Sequence, residues 1–259
     1  MTQRLTTAIT TLWTNGRRIE RIGYTVAIIA FVSGLTHLTI NLLTGGTWTG
    51  PVSLRKPTTF GLSFGIVLAT ITWISTYIRL GPKLRHLIVG AFTLTSACEV
   101  TGITLQAWRG VPSHFNFTGT FSRGITVMLA AGGFILVACA ITLAAASLRA
   151  NPTVPPSMML AVRAGLWIFL GAMATGAIMI ATGTILTRTD SAQAAYHDAG
   201  WLKPSHAITM HAITVLPALS LVTSCMDRPE SWRVKIAWLG TAAYLTAAAI
   251  TIAANLILG

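Results

Sequence analysis

The sequence predicts an all-α protein, a single polytopic bundle of seven transmembrane helices with the N-terminus in and the C-terminus out. Three observations predict it. The 259 residues are 53% hydrophobic and 9% charged, with mean hydropathy +0.68. The apolar residues gather in seven runs, each close to the roughly 20 residues a helix needs to cross a hydrocarbon core. The segments between the runs are short and hold most of the Pro, Gly and charge, so no second, soluble domain fits. Residues 22–259 are therefore one transmembrane domain, and residues 1–21 a cytoplasmic N-terminal segment.

In that segment Leu5, Ile9, Leu12 and Trp13 share one helical face, and Arg17 and Arg18 follow. The pattern fits an interfacial amphipathic helix or a basic tail. The first span, Ile22–Thr44, is full length and lacks a small-residue cleavage pattern, so no leader peptide is expected. The second, Thr58–Leu80, carries the GxxxG Gly61–Gly65. The third is Leu87–Trp108. The fourth, Ile125–Leu148, contains Ala130-Ala-Gly-Gly133. The fifth, Met158–Gly183, has Gly171, Gly176 and Gly183. The sixth, Ser205–Met226, is interrupted by Pro217, which cannot donate to Ile213 and so kinks the helix or frees that carbonyl. The seventh, Val234–Leu258, is mostly Ala and Thr. Small faces let membrane helices approach closely. Tight packing within the chain explains them, as does oligomerisation through Gly61 and Gly65. There is no internal repeat of the kind that marks inverted-repeat transporters.

The net charge of +12 does not indicate nucleic acid, because the cations sit at helix ends among lipid head groups. Twelve fall on the side of the N-terminus: Arg4, Arg17, Arg18, Arg21, Arg79, Lys83, Arg85, Arg149, Arg163, Arg228, Arg233 and Lys235. Six fall on the other: Arg55, Lys56, Arg109, Arg123, Arg188 and Lys203. The positive-inside rule then sets the orientation, in a cell membrane of bacterial type. Cys98, Cys139 and Cys225 lie within spans and form no CxxC or disulfide pattern.

Glu99 is the most informative residue. A carboxylate in the middle of an apolar span is costly and persists where it pairs, titrates, binds a ligand or lines a cavity. At 1.5 Å per residue it lies about 18 Å from the inner end of its span, His37 about 22 Å from the inner end of the first, and His211 about 9 Å below the outer end of the sixth. All three share one layer. Ser33, His37, Asn41 and Thr44 form one polar helix face, and Thr95, Glu99, Gly102, Gln106 and Arg109 another. Both lead outward. They predict an outward-facing polar pocket built by the first, third and sixth spans. At its mouth the sequence places Lys56, Arg109, His114, Asn116 and His206, with Asn41 and Gln106 along the wall. Five of the six histidines lie in the outer half, and His86 does not.

Several chemistries use such groups. Glu99 with His37 or His211 forms an acid–base set, with Arg109 and Lys56 receiving an anionic group. His37 and His211 are candidate axial ligands of a b-type haem. His37, His206, His211 and Glu99 are the right ligand types for a transition metal, although the five-residue spacing of His206 and His211 is a poor fit to one face. A hydrogen-bonded Glu–His network serving only helix packing uses the same residues. The partners expected are membrane lipids and a small or lipid-like ligand. A binding or acid–base site, a single-haem cytochrome and a proton-coupled transporter all remain open. A retinal Schiff base is excluded, since the last span has only Lys235, at its inner start.

Three segments resemble a group of bacterial multi-pass membrane proteins that have no assigned activity. They are Arg55-Lys-Pro-Thr-Thr-Phe-Gly-Leu-Ser63, Arg109-Gly-Val-Pro-Ser-His-Phe-Asn116 and the His206…His211…Pro217 helix. The resemblance implies a polytopic fold and no reaction.

Overall fold

The structure is a computed structural model that describes residues 10, 11 and 13–258. Leu5, Ile9 and Leu12, three of the four residues of the expected N-terminal amphipathic face, lie outside the described residues. Trp13, the fourth, is exposed. The spans are α1 (Arg18–Thr44), α2 (Arg55–Ser75), α3 (Pro82–Trp108), α4 (Gly119–Ser147) and α5 (Pro156–Thr189). A seven-residue helix, α6 (Ala192–Asp198), precedes α7 (Lys203–Ser224) and α8 (Glu230–Leu258). Seven of these helices are long and apolar enough to cross a membrane. No strand occurs among the described residues.

The seven runs in the sequence and the seven long helices coincide in order, and they differ at the ends. α2 begins three residues before Thr58 and stops five before Leu80. α5 continues six residues past Gly183, so its 34 residues extend about 51 Å and project beyond a ~30 Å core. Hydropathy marks where lipid can be, whereas helix ends depend on what satisfies the last carbonyls.

Here arginines do much of that. Arg85, in the first turn of α3, donates to Ser75 O at 2.5 Å and Ile78 O at 3.0 Å, past the end of α2. Arg163 in α5 donates through Nε to Ser147 O, the last residue of α4, at 2.7 Å. Arg233 in α8 donates to Met226 O, just beyond α7, at 3.1 Å. The Arg163 bond takes up the last carbonyl of α4, while Arg85 and Arg233 add a second donor to carbonyls that already accept a turn N–H, and each guanidinium sits at the negative end of the preceding helix's dipole. Part of the cationic excess on this side is therefore capping as well as topology. Glu20 joins the first of these caps. It is buried, 3.0 Å from Arg17 and 3.7 Å from Arg85.

The helices pack in two groups. α1, α2 and α3 touch one another, and α4 lies against α3; α5, α7 and α8 form the second group, joined through α4–α5 and α2–α7. Leu68, Ile71, Ile74, Phe92, Leu143, Leu166, Phe169 and Ile213 fill the centre. Thr70 and Thr214 share a hydrogen bond of 3.0 Å between α2 and α7. Small residues set the closest approaches: Gly34 and Gly61 meet between α1 and α2, and Gly165 meets Ile213 between α5 and α7. The Gly61/Gly65 face is thus taken up by α1. α7 runs unbroken through Pro217.

Candidate functional site

His37 is buried and its ring is fixed at both nitrogens. Nδ1 lies 2.6 Å from the Ser33 carbonyl, and a carbonyl can only accept, so Nδ1 carries the proton. Nε2 then accepts from Trp108 Nε1–H at 3.0 Å. This ties α1 to the outer end of α3 and uses the lone pair that a metal or haem iron would need. Asn41, one turn on, donates to Gly46 O at 3.2 Å and closes the end of α1.

Glu99 does not meet the histidines. Its side chain points from α3 to α4, so close to Gly132 that a Cβ there would stand 2.6 Å from Oε1 and 3.1 Å from Thr95 Cγ2. Glu99 is buried. Among the described residues it has no hydrogen bond and no ion pair. The rest of its stripe also faces α4. Gly102 abuts Met128, Leu129 and Ile125, so α4 side chains fill the room expected beside Glu99. Gln106 Oε1 accepts from Arg109 Nη1 at 2.5 Å. Arg109 reaches Ser122 Oγ at 3.4 Å and lies 4.5 Å above the Phe121 ring. The expected pocket of first, third and sixth spans is corrected to an α3–α4 seam, because α7 packs on α5, α8 and α2 instead. Gln106 Nε2 is buried without a partner.

His206 Nδ1 donates to Ala172 O of α5 at 2.8 Å, with its ring beside Gly176. His211 is half-buried and has no hydrogen bond among the described residues, and His206 lies within electrostatic range of it. α1 and α7 are not packed neighbours, so His37 and His211 do not face each other across a haem-sized gap. Among the described residues no three His, Cys, Asp or Glu side chains are grouped to hold a metal ion. The residues present fit neither group.

At the end of the bundle where α2 begins the picture is different. The loop from Arg109 to Thr118 is strapped across the bundle. Asn116 folds it, donating to Pro112 O at 3.1 Å, accepting from Thr118 N at 3.1 Å, and receiving Thr126 Oγ1 on its carbonyl at 3.0 Å. Arg109 and Asn116 are therefore scaffold rather than mouth. Phe115 takes a left-handed φ of 57° and seats its ring on Gly183 of α5, where a Cβ would have no space. The Tyr196 hydroxyl of α6 donates to the Phe115 carbonyl at 3.5 Å.

This places His114 against Phe60 of α2, ring centroids 5.9 Å apart, with Nδ1 2.9 Å from Ser113 Oγ. Lys56 lies one turn before Phe60. Burial, and secondarily the Lys56 charge, hold the His114 imidazole down at about 3. Arg55 and Lys203 are within electrostatic range of Lys56. Among the described residues none of the three is within ion-pair distance of a carboxylate; Arg55 Nε donates to Trp48 O at 3.1 Å. In the sequence Lys56 and His114 stand out as site residues, whereas Lys203 reads as a helix-end anchor and Arg55 only as one more cation of that side. A signal was present: a Lys-Pro pair opens both helices, at Lys56-Pro57 and Lys203-Pro204.

The neutral His114 predicts a pH dependence. The unfolded imidazole takes up a proton near 6.5, and the folded one only near 3. Between those values the unfolded state binds more protons, so stability falls as pH falls, by at most about 1.4 kcal/mol per pH unit. The thermal midpoint in detergent is expected to drop between pH 7 and pH 5, and His114→Gln is expected to flatten that drop. An equal slope in the variant would remove His114 as its source.

Compared with family models, curated proteins and solved structures, the chain matches none.

Proposed function

We propose that this is a multi-pass protein of a bacterial cell membrane, N-terminus in and C-terminus out, which binds a small or lipid-like anionic molecule at its outer side. The grouping of Arg55, Lys56 and Lys203 beside His114, with no carboxylate pairing any of the cations, carries the reading. Like charges held together in a partly desolvated place repel, and a bound anion offsets that cost. Arg55 supplies planar donors suited to a carboxylate or phosphate, and the two lysines supply compact point charges. Phe60 and Phe115, on either side of His114, give an apolar wall for the rest of an amphiphile. His114 remains neutral, so it contributes a hydrogen bond and no charge. The orientation is supported by the twelve-to-six division of cations between the two sides.

Lys56→Met tests it. Charge-assisted hydrogen bonds contribute about 1.5–3 kcal/mol each, so the variant should bind a short-chain phosphatidate roughly ten- to a hundredfold more weakly. Calorimetric titration of the detergent-purified protein reads this directly. Dihexanoyl phosphatidate is the anionic probe and dihexanoyl phosphatidylcholine the control of no net charge. Equal affinity of wild type for both probes, or of wild type and Lys56→Met for the phosphatidate, would end the reading.

A further inference from the structure

The first half of α3 carries a second surface with a chemical polarity of its own. Pro82, Lys83, His86, Leu87, Gly90 and Leu94, with Ala91, line an open furrow of about 870 Å³. These positions recur at intervals of three and four and share one helix face. Leu87 and Leu94 are exposed and stand seven residues apart, nearly in line along the axis, with Gly90 and Ala91 leaving a low floor between them. From Lys83 to Leu94 the furrow runs eleven residues, about 16 Å along the axis, close to the depth of one leaflet's hydrocarbon.

The furrow is apolar except at one end. There Lys83 and His86 are exposed, and neither has a hydrogen bond or ion pair among the described residues. Neighbouring groups leave them no acid to pair with: Glu20 is already held by Arg17 and Arg85. Arg18 and Arg21, exposed on α1, add charge of the same sign at the same end. Gly90 touches α1 only through Ile19 Cδ1, where a Cβ would find ordinary contact at 3.5 Å.

We propose that this furrow is a binding site for one anionic phospholipid, with its phosphate at Lys83 and His86 and an acyl chain running past Leu87, over Gly90 and Ala91, toward Leu94. Charge complementarity selects the head group. A cation near the surface favours an anionic lipid, and two groups converging on one phosphate contribute more than a dispersed field does. The small floor selects an extended chain. The site lies at the opposite end of the bundle from Lys56 and His114, and its fate is independent of theirs.

Native mass spectrometry of the full chain, purified in detergent and exposed to equal amounts of phosphatidylglycerol and phosphatidylcholine with the same chains, tests it. One phosphatidylglycerol per chain should be retained in preference. Lys83→Gln with His86→Gln should lower that retention about tenfold, with the thermal midpoint unchanged because both side chains are exposed. Gly90→Leu fills the furrow without a backbone clash and should also release the lipid. Equal retention of the two lipids would overturn the proposal. So would undiminished phosphatidylglycerol in the double variant or in Gly90→Leu.

Discussion

Gly61→Leu will unseat α1 from the bundle. A Cβ at Gly61 would stand 2.7 Å from Gly34 Cα, 2.7 Å from Gly34 N and 2.8 Å from Ala30 O. All three are backbone atoms, so no rotamer change relieves the contact. The same crossing is tight one turn further on, where a Cβ at Gly65 would lie 2.9 Å from both Ala27 O and Phe31 N. α1 and α2 form the most extensive helix pair in the fold. In lipid that pairing depends on close packing, since the bilayer supplies little hydrophobic drive between helices. Overpacking generally costs about 1–3 kcal/mol, and a clash with rigid backbone belongs at the upper end or beyond. A fall in the thermal midpoint in detergent, with loss of monodisperse protein, is the expected result. Gly133→Leu is the matched control, because a Cβ at Gly133 meets nothing within 4 Å. If both variants melt together with wild type, α1 does not sit where this crossing puts it.

The same residues show what the sequence made legible. Seven long helices follow from composition and run length, because burial in lipid needs about 20 apolar residues whatever their neighbours are. That Glu99 and His37 lie inside long apolar helices also follows from counting. Direction around the bundle does not, since a helix face is visible in sequence and the helix opposite it is not. The stripe through Glu99, Gly102 and Gln106 is real as a face, yet it meets α4. The partner signal was Ala130-Ala-Gly-Gly133, where Gly132 leaves room for the carboxyl. His37 reads as a ligand until Trp108 is found on its second nitrogen. Lys203 reads as an anchor until α2 and α7 are found side by side, each beginning with a cation.

Arg85→Ala should be the most destabilising single change at the other end of the bundle, for a reason that charge counting hides. Counted as one of twelve cations, Arg85 looks like an orientation signal that tolerates loss. In the fold it is buried, and its guanidinium holds Ser75 O, Ile78 O and the Glu20 carboxylate together. Truncation removes the guanidinium from the Ser75 and Ile78 carbonyls, which keep only turn bonds from Ile78 N at 3.3 Å and Leu80 N at 2.9 Å. It also leaves Glu20, itself 3% exposed, with only Arg17, whose side chain is 58% exposed. Breaking a buried pair from one side typically costs about 3–5 kcal/mol, because the remaining charge stays buried. The lost capping bonds are part of that figure rather than additional to it, since neighbouring effects do not add. Glu20→Gln should cost much less, as Arg85 keeps both carbonyls. Arg85→Lys should fall between, since an ammonium cannot span three acceptors as a planar fork does. Thermal midpoints of the three variants decide the order. Should Arg85→Ala prove no worse than Glu20→Gln, the guanidinium is not the cap of α2, and the cationic excess at this end is topology alone.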